Sequence, residues 1–195
     1  GHKLTAEETE HFERIINASK RMAEIIDDIL ELGRVSRSEL SFTEVNLTAL
    51  AQSAAKQLCV TDKGHQIDWH IQEDITAVGD VTLFAMLLEN LLDNACKYSS
   101  KESHARIEFG ATHIAGETTY FVKDNGAGFD MKHIDGLFTP FTRLHVGEDY
   151  EGTGIGLATV QRIVERHAGR VWAESEPNQG ATFYFTFHAP AIDAH

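Results

Sequence analysis

A predicted helix over 80–98 carries two carboxamides and an ammonium group along one line of its surface. Asn90, Asn94 and Lys97 fall within about 60° of one another, because each residue advances a helix by about 100°. Amide oxygens suit a hard cation such as Mg²⁺, which usually keeps waters and takes other ligands from phosphate. The line is therefore a candidate site for a metal ion and for phosphates beside it. Taken alone, an Asn-x-x-x-Asn spacing is more often a solvated helix face.

Two glycine-rich segments can bring backbone atoms close to a ligand. Asp124 follows a predicted strand and precedes Gly126 and Gly128, so its carboxylate can accept a hydrogen bond from an exocyclic amine such as that of adenine. The alternative for this segment is a common Asp-Asn-Gly turn. The second segment, 152–157, reads Gly-Thr-Gly-Ile-Gly-Leu and opens a predicted helix, where free N–H groups and the helix dipole favour oxyanions. Its alternative is a flexible linker, and the helix that follows directly argues against that.

The chain from 124 to 156 has no clear periodicity. About 20 residues of it lie between the two glycine-rich segments and contain Phe138, Phe141 and Arg143. Irregular chain of this length is typical of a lid that closes over a ligand.

The elements that must position these residues form two unequal parts. A long helical pattern covers 6–37, with a heptad seam of apolar or small residues. Such a stripe needs a partner, which is either the chain's own domain or, as we favour, a bundle with another helix or subunit. The seam comprises Ile15, Ser19, Met22, Ile26, Ile29 and Gly33, widened by Phe12, Ile16, Ala23 and Leu30.

The rest of the chain mixes strands and helices without regular alternation. We predict strands at 42–47, 66–71, 106–114, 118–123, 170–175 and 181–188, and helices at 48–58, 80–98 and 157–167. Asp80 is the expected N-cap of the long helix, and Gly169 the expected end of the last one. The pattern predicts an α+β fold: a two-layer sandwich of one mixed sheet with helices on one face, preceded by the long N-terminal helix.

The composition argues against several classes of function. The 195 residues carry a formal net charge of −13, which argues against binding nucleic acid or coating an anionic membrane. The two cysteines form no disulfide framework, and we expect a cytoplasmic setting. No apolar run reaches the roughly 18–20 residues that span a bilayer, so any membrane anchor of a larger parent would lie outside this sequence.

The order and spacing of these motifs resemble the catalytic, ATP-binding domain of bacterial sensor histidine kinases, in the superfamily shared with gyrase, Hsp90 and the mismatch-repair protein MutL. Segment 90–98 is similar to the family's N box, and 124–128 to its first glycine box. Segment 138–141 resembles its F box, and 152–157 its second glycine box. The resemblance covers nearly all of 42–190 and implies a five-stranded, largely antiparallel sheet packed on three helices.

The resemblance also implies roles for single residues. Asn94 would bind Mg²⁺, with Asn90 assisting at the metal and phosphates, while Lys97 would contact phosphate. Asp124 would recognise the adenine amine, and Arg143 would neutralise charge on the γ-phosphate. The other residues implied at the nucleotide are Tyr98, Gly126, Gly128, Thr153, Gly154, Ile155, Gly156 and Leu157.

The sequence departs from the family pattern at the last glycine box. Asn178 stands where a glycine is usual, and Ala181 where a hydroxyl residue often supports adenine binding. We predict that Thr182 supplies that hydroxyl instead.

The N-terminal part, 1–40, resembles the second helix of the kinase dimerisation hairpin, and 41–195 the ATP-binding domain. The first helix of the hairpin carries the phosphoacceptor histidine, followed by Glu or Asp. None of the eleven histidines here precedes an acidic residue, so we expect this sequence to bind Mg·ATP without phosphorylating itself. The implied partners are a response regulator receiver domain and, in an intact protein, a second copy through the 1–40 helix.

Two other functions fit the same motifs. An ATP hydrolase or a serine-directed kinase would use the same fold, but hydrolases of the superfamily have Glu where Asn90 stands, and an amide is no base. The other alternative is a nucleotide-binding signalling module without catalysis.

Overall fold

The computed structural model describes residues 5–61, 66–142, 150 and 152–188. The elements follow the order α1 (Ala6–Arg37), β1 (Thr43–Asn46), α2 (Leu47–Thr61), β2 (Ile67–Ile71), β3 (Thr76–Gly79), α3 (Val81–Ser99), β4 (Ala105–Ile114), β5 (Glu117–Asp124), a 3₁₀ helix (Met131–Gly136), α4 (Gly156–Arg166), β6 (Val171–Ser175) and β7 (Ala181–Phe185).

The main sheet has five strands in the order β2-β4-β5-β7-β6. Only β2 and β4 pair in parallel; the other three pairs are antiparallel. The β4–β5 hairpin turns through Ala115 and Gly116, both at positive φ, as a two-residue hairpin loop requires. The predicted α+β sandwich with a mixed, mostly antiparallel sheet is confirmed.

One face of this sheet is covered by α2, α3 and α4. The central helix α3 buries an apolar face of seven large or small hydrophobic side chains against the sheet and its neighbours. Alternate residues of the strands face these helices and complete the core, because successive side chains of a strand point to opposite faces of the sheet. The fully buried members of this core include Phe84, Leu91, Leu92, Ile107, Phe109, Val160, Ile163 and Phe185.

The prediction of one sheet misses a smaller second one. β1 and β3 pair antiparallel as a separate two-stranded sheet, with Val45 opposite Ala77. The four-residue strand β3 was not predicted, because only Ala77 and Gly79 of it are buried and the segment is too short to show a period. A 3₁₀ helix also interrupts the stretch that was predicted to be irregular.

The N-terminus of α3 agrees with its prediction from sequence, whereas the C-terminus of α4 differs from its prediction in detail. Asp80 caps α3 as predicted, since its Oδ1 accepts hydrogen bonds from the N–H groups of Thr82 and Leu83 at 3.0 and 3.1 Å. At the end of α4 the left-handed residue is Ala168, with φ 53°, and not Gly169. Gly169 is required for another reason: a Cβ on it would lie 1.8 Å from the carbonyl oxygen of Thr186.

The long helix α1 leaves its predicted apolar stripe uncovered. Its C-terminal part packs on α4, and Val35 is buried there. The large apolar seam residues on the N-terminal side of Val35, by contrast, are about half exposed: Phe12, Ile15, Ile16, Met22, Ile26, Ile29 and Leu30.

Candidate functional site

The polar line of α3 opens on a cavity of about 310 Å³. Asn90, Asn94 and Lys97 all line it, each partly buried, as their helical spacing predicts. The Nδ2 group of Asn90 donates to the carbonyl oxygen of Met86 at 2.8 Å. That bond turns Oδ1 towards Gly156, where an added Cβ would lie 2.5 Å from it. The amide oxygen of Asn90 is thus the atom presented across the cavity.

The opposite wall is the second glycine-rich segment. Gly152, Thr153, Gly154, Gly156 and Leu157 line the same cavity. Gly152 and Gly154 have positive φ. A Cβ added to Gly152 would lie 2.4 Å from the Nζ atom of Lys97. Because a side chain at Gly152 would displace the lysine, glycine there keeps the ammonium group beside the start of α4.

Ile155 differs from its neighbours in the glycine-rich segment because its side chain is buried. Its side chain is 1% exposed and belongs to the core, so only its backbone can serve a ligand. Its N–H donates weakly to Thr153 Oγ1 at 3.4 Å.

Asp124 does not line this cavity: it is buried at the end of β5. Its Oδ1 accepts hydrogen bonds from the N–H groups of Gly126 and Ala181, at 2.8 and 3.4 Å. Burial raises the pKa of this carboxyl to about 6, and the two N–H donors lower it in part. Since both bonds go to Oδ1, Oδ2 is the atom left to meet a ligand donor.

The C-terminal turn of α3 connects the two ends of the site. The carbonyl oxygen of Tyr98 accepts a hydrogen bond from the N–H of Ala127 at 3.0 Å. A Cβ on Gly126 would lie 2.3 Å from that same carbonyl oxygen. The helix that carries Asn90 and Lys97 is therefore in backbone contact with the segment that carries Asp124. The ring of Tyr98 lies beside Lys97 Nζ, 5.3 Å from its centroid.

A turn between β6 and β7 closes the Asp124 end. Gly128 has φ 55°, and a Cβ on it would lie 2.1 Å from the carbonyl oxygen of Glu176. Asn178 has φ 61°, a conformation that Asn tolerates better than most non-glycine residues. Its N–H donates to Ala127 O at 2.7 Å. The departure from glycine at Asn178 is thus accommodated by the backbone.

The prediction for Thr182 is wrong about its placement. Thr182 pairs with Lys123 and points to the opposite face of the sheet from Ala181. The hydroxyl on the Asp124 side belongs to Ser175, which pairs with Ala181. Ser175 Oγ donates to Gly180 O and accepts from Phe129 N–H, each at 2.8 Å.

Sequence reasoning also missed two acidic residues of α1. Glu24 and Asp28 line the cavity beside Asn94 and Lys97. Asp28 Oδ2 accepts a short hydrogen bond from Thr153 Oγ1, at 2.5 Å. Their spacing of four residues marks a second stripe on α1, distinct from the apolar seam, and this was the only signal for them.

The predicted F box and Arg143 are placed only in part. Phe138 packs against the core, whereas the ring of Phe141 is 57% exposed and its φ is 67°. The N–H of Phe141 donates to Gly154 O at 2.9 Å, which ties this segment to the glycine-rich wall, 152–157. Arg143 lies outside the described residues.

The donor set fits a hard divalent cation only with help from a ligand. Asn90 presents an amide oxygen, and Asn94 lies one turn further along the same wall. Within the described ranges, no group of three His, Cys, Asp or Glu residues could hold a metal ion. A Mg²⁺ ion at Asn90 and Asn94 would complete its shell with phosphate oxygens and waters.

Comparison with known proteins identifies the family. Residues 79–191 match the family described as Histidine kinase-, DNA gyrase B-, and HSP90-like ATPase. The match covers more than half of the chain, and the chain belongs to this family. The predicted resemblance to histidine kinase ATP-binding domains is confirmed.

The relatives are sensor kinases and phytochromes. Cyanobacterial phytochrome A of Nostoc sp. is 34% identical over 187 residues, which are 94% of this chain and 24% of that protein. Adaptive-response sensory kinase SasA of Trichormus variabilis is 32% identical over 173 residues, 86% of this chain and 43% of the relative. The crystal structure of full-length ShkA in complex with AMPPNP superposes with a TM-score of 0.70 at 26% identity, covering 98% of this chain and 41% of that one. This chain therefore covers about a quarter of the length of the phytochrome and less than half of the length of SasA and of the ShkA chain.

None of the helices within residues 5–61, 66–142 and 152–188 combines the length and the apolar character that crossing a bilayer requires.

Proposed function

We propose that the chain is the ATP-binding kinase core of a two-component sensor histidine kinase. The observation that carries this proposal is the single helix α3, whose amides and ammonium group face a glycine-rich wall while its last turn contacts the Asp124 segment. A nucleoside triphosphate needs both of these environments, a base-recognising carboxylate and a phosphate-binding wall, within the length of one molecule. Family membership and the sensor-kinase relatives support the same reading.

The proposed reaction transfers the γ-phosphoryl group of ATP to a histidine nitrogen. The bond between the β,γ-bridging oxygen and the γ-phosphorus breaks, the N–P bond forms, ADP leaves, and the imidazole proton passes to a base on the acceptor side. Such transfers depend mainly on positioning and on charge stabilisation. Lys97 and the backbone donors of 153–157 would stabilise the phosphates, Asn90 and Asn94 would hold Mg²⁺ there, and Arg143 would add a positive charge.

The base end would select adenine. Asp124 Oδ2 would accept from the exocyclic amine, while Gly126 and Gly128 let the backbone approach the ring. Tyr98 would pack near the nucleotide. The bound Mg²⁺ supplies charge neutralisation and orientation of the phosphates.

The acceptor histidine lies outside this sequence in the proposal. We expect no acid-labile phosphate on this chain after incubation with labelled ATP, because no histidine here precedes an acidic residue. Adding the missing hairpin helix as a peptide, or a full-length relative, should restore the product. A receiver domain of a response regulator would be the next acceptor, and the setting would be cytoplasmic.

The exposed seam of α1 supports a homodimer through that helix. Seven large apolar side chains that are about half exposed form one stripe. A second copy, or the other hairpin helix, would remove this apolar area from water. Sedimentation of the protein with and without Ile26→Glu tests it: the substitution should shift any dimer to monomer, and an unchanged oligomeric state would contradict this interface.

Calorimetric titration tests nucleotide binding most directly. Asn94→Ala should weaken Mg·ATP and leave adenosine unchanged, because Asn94 serves the metal and phosphates. Asp124→Asn should weaken both ligands by about 10- to 100-fold, the range for losing a hydrogen bond to a charged group. The mutant amide must give its oxygen to the two backbone donors, so its NH₂ group would face the amine.

Matched controls are available on the surface. Asn17→Ala on α1 and Asp68→Asn on β2 make the same chemical changes at exposed positions, and we expect wild-type binding from both. Absence of Mg·ATP binding to the wild type, or binding that neither site variant alters, would refute the proposed function.

The hydrolase alternative predicts a different product. Glu89 is an exposed neighbour of Asn90 and lines another groove, between α2 and α3, with Gln57 and Asp93. It is therefore not placed to activate a water in the cavity of Asn90. Release of inorganic phosphate at rates that Glu89→Gln abolishes would favour the hydrolase.

A further inference from the structure

The long helix α1 touches the phosphate-side wall of the site through one short contact. Asp28 Oδ2 accepts a hydrogen bond from Thr153 Oγ1 at 2.5 Å, across 125 positions of sequence. Asp28 and Glu24 line the same cavity as Asn90, Asn94 and Lys97. Two carboxylates therefore face the space in which the phosphates of ATP would lie.

The helix is fixed in this position by contacts further along it. Arg162 Nε donates to Ser36 Oγ at 3.1 Å, and Arg166 Nη1 donates to the carbonyl oxygen of Val35 at 2.5 Å. Arg166 also donates to Ser38. Because both arginines belong to α4, the helix that begins at the glycine-rich segment, α1 and the phosphate-side wall are held as one unit.

The same contact engages the backbone that would serve phosphate. Thr153 donates to Asp28 and accepts the Ile155 N–H through the same hydroxyl oxygen. Phe141 N–H occupies the carbonyl oxygen of Gly154. The Thr153 hydroxyl proton is thus engaged by Asp28, and its oxygen weakly accepts the N–H of Ile155.

Repulsion between carboxylates and phosphates would weaken phosphate binding in addition to the contact between Asp28 and Thr153. Glu31 follows Asp28 by one turn of α1, and burial together with the charges of Asp28 and Glu89 raises its pKa. A triphosphate entering the cavity would meet Glu24 and Asp28 as like charges in the same cavity that Lys97 lines. At separations below the Debye length of about 8 Å, water and salt screen such repulsion only partly.

We propose that Asp28 and Glu24 are an autoinhibitory latch by which α1 lowers the affinity of the site for nucleotide phosphates. This rests on the proposed function, because it takes ATP as the ligand. A rotation or shift of α1 that withdraws Asp28 and Glu24 releases the Thr153 hydroxyl and removes two negative charges from the cavity. The helix that carries the exposed apolar stripe is therefore also the helix that opens or closes the nucleotide site.

The test is a calorimetric titration of the whole 195-residue chain with Mg·ATP, Mg·ADP and adenosine. Asp28→Asn keeps a hydrogen-bond acceptor for Thr153 and removes the charge, and it should tighten Mg·ATP by about fivefold or more, the lower range of allosteric couplings. The gain should be smaller for Mg·ADP and absent for adenosine, which has no phosphate. Adding Glu24→Gln should increase the gain.

Asp27→Asn is the matched control. It makes the same change of net charge on the neighbouring, exposed residue of α1 and should leave all three affinities as in the wild type. Raising KCl to about 0.5 M should narrow the difference between Asp28→Asn and the wild type, since salt screens exposed charges.

The outcomes separate the two proposals. Equal Mg·ATP affinity of Asp28→Asn and wild type, or weaker binding by the variant, would overturn the latch and leave the proposed function standing. An equal gain from Asp27→Asn would show a general charge effect and also overturn it. Failure of every variant to bind Mg·ATP would contradict the proposed function itself.

Discussion

The site has two differently built ends: the surroundings of Asp124, which we propose bind the base (the base end), and those of Thr153, which we propose bind the phosphates (the phosphate end). Around Asp124, glycines press against backbone carbonyls, and a carboxylate is held by two backbone N–H groups. Around Thr153, only Gly154 meets backbone atoms closely, whereas Gly152, Gly156 and Thr153 meet side-chain ends: Lys97 Nζ, Asn90 Oδ1 and the Asp28 carboxylate.

This difference separates a rigid end from an adjustable one. Backbone atoms locked in the sheet and its turns cannot move without disturbing the core, whereas side-chain ends change rotamer at small cost. We therefore expect changes at the base end to affect stability and binding together. Changes at the phosphate end should affect binding and leave the fold intact.

The largest effect is expected for Gly126→Ala. Its Cβ would lie 2.3 Å from the backbone oxygen of Tyr98, so a strand end or the last turn of α3 must shift. We expect a loss of about 3 kcal/mol or more in the free energy of unfolding, at the upper end for overpacking. Urea denaturation measures it.

Gly116→Ala is the control for this substitution. Nothing lies within 4 Å of its Cβ, and only the positive φ of 85° is unfavourable, so about 1 kcal/mol is expected. Equal losses at Gly126 and Gly116 would show that the base end is not rigid.

The second prediction concerns pH and has opposite signs for stability and binding. The pKa of Asp124 is raised from 3.8 to about 6 in the folded protein, so its stabilising contribution is complete below pH 3.8 and is lost as pH rises through 6. We expect wild type to lose about 2 kcal/mol relative to Asp124→Asn between about pH 4.5 and 6.5. Adenine binding should strengthen over the same window, because the ionised carboxyl is the better acceptor.

Urea titrations and nucleotide titrations at several pH values check both signs. Comparison with Asp124→Asn removes the titration of ATP itself, which is common to both proteins. Parallel pH profiles for the two proteins would refute an ionising role for Asp124.

A smaller effect is expected for Asn125→Ala, beside the same carboxylate. Asn125 Oδ1 accepts from Arg106 N–H and its Nδ2 donates to His104 O, both at 2.8 Å. Two partly exposed hydrogen bonds are worth about 1–2 kcal/mol together. Asn125→Asp keeps an acceptor for Arg106 N–H but turns a carboxylate oxygen towards His104 O, so it should lose at least as much as Asn125→Ala. Wild-type stability of this variant in thermal denaturation would contradict a contribution from the bond to His104.

The smallest change in stability is expected for Gly156→Ala at the phosphate end. The new Cβ would lie 2.5 Å from Asn90 Oδ1, a side-chain end that can rotate away. The free energy of unfolding should change by less than about 1 kcal/mol, since alanine also favours the helix that begins there. Mg·ATP should nevertheless bind more weakly, because Asn90 no longer presents its oxygen. A large loss of stability would remove the contrast with Gly126.

Local patterns in the sequence predict much of this fold and site. The 3.6-residue period of α3 places Asn90, Asn94 and Lys97 on one wall, as observed. The N-cap at Asp80 and the β4–β5 hairpin depend on short-range chemistry and are also confirmed. The end of α4 shows a limit: a close approach of the Thr186 carbonyl, which no local pattern reveals, determines that residue 169 is glycine.

Other features depend on tertiary contacts. The contact between Asp28 and Thr153 joins residues 125 positions apart, and β3 is too short to show a period. The error at Thr182 was avoidable, since period-two alternation in β7 already separates it from Ala181. Ser175 could be recognised only after the β6–β7 register was known.

The pairing of β5 with β7 has a consequence for how the phosphate end can diversify. These neighbouring strands bracket the whole segment from Asn125 to Gly180, so the sheet itself holds the ends of that segment together. Doubling the length of a flexible loop with fixed ends costs only about 0.6 kcal/mol of closure entropy. Insertions between the 3₁₀ helix and α4 should therefore be tolerated by the sheet, which leaves that stretch free to vary in length while the base end stays constant.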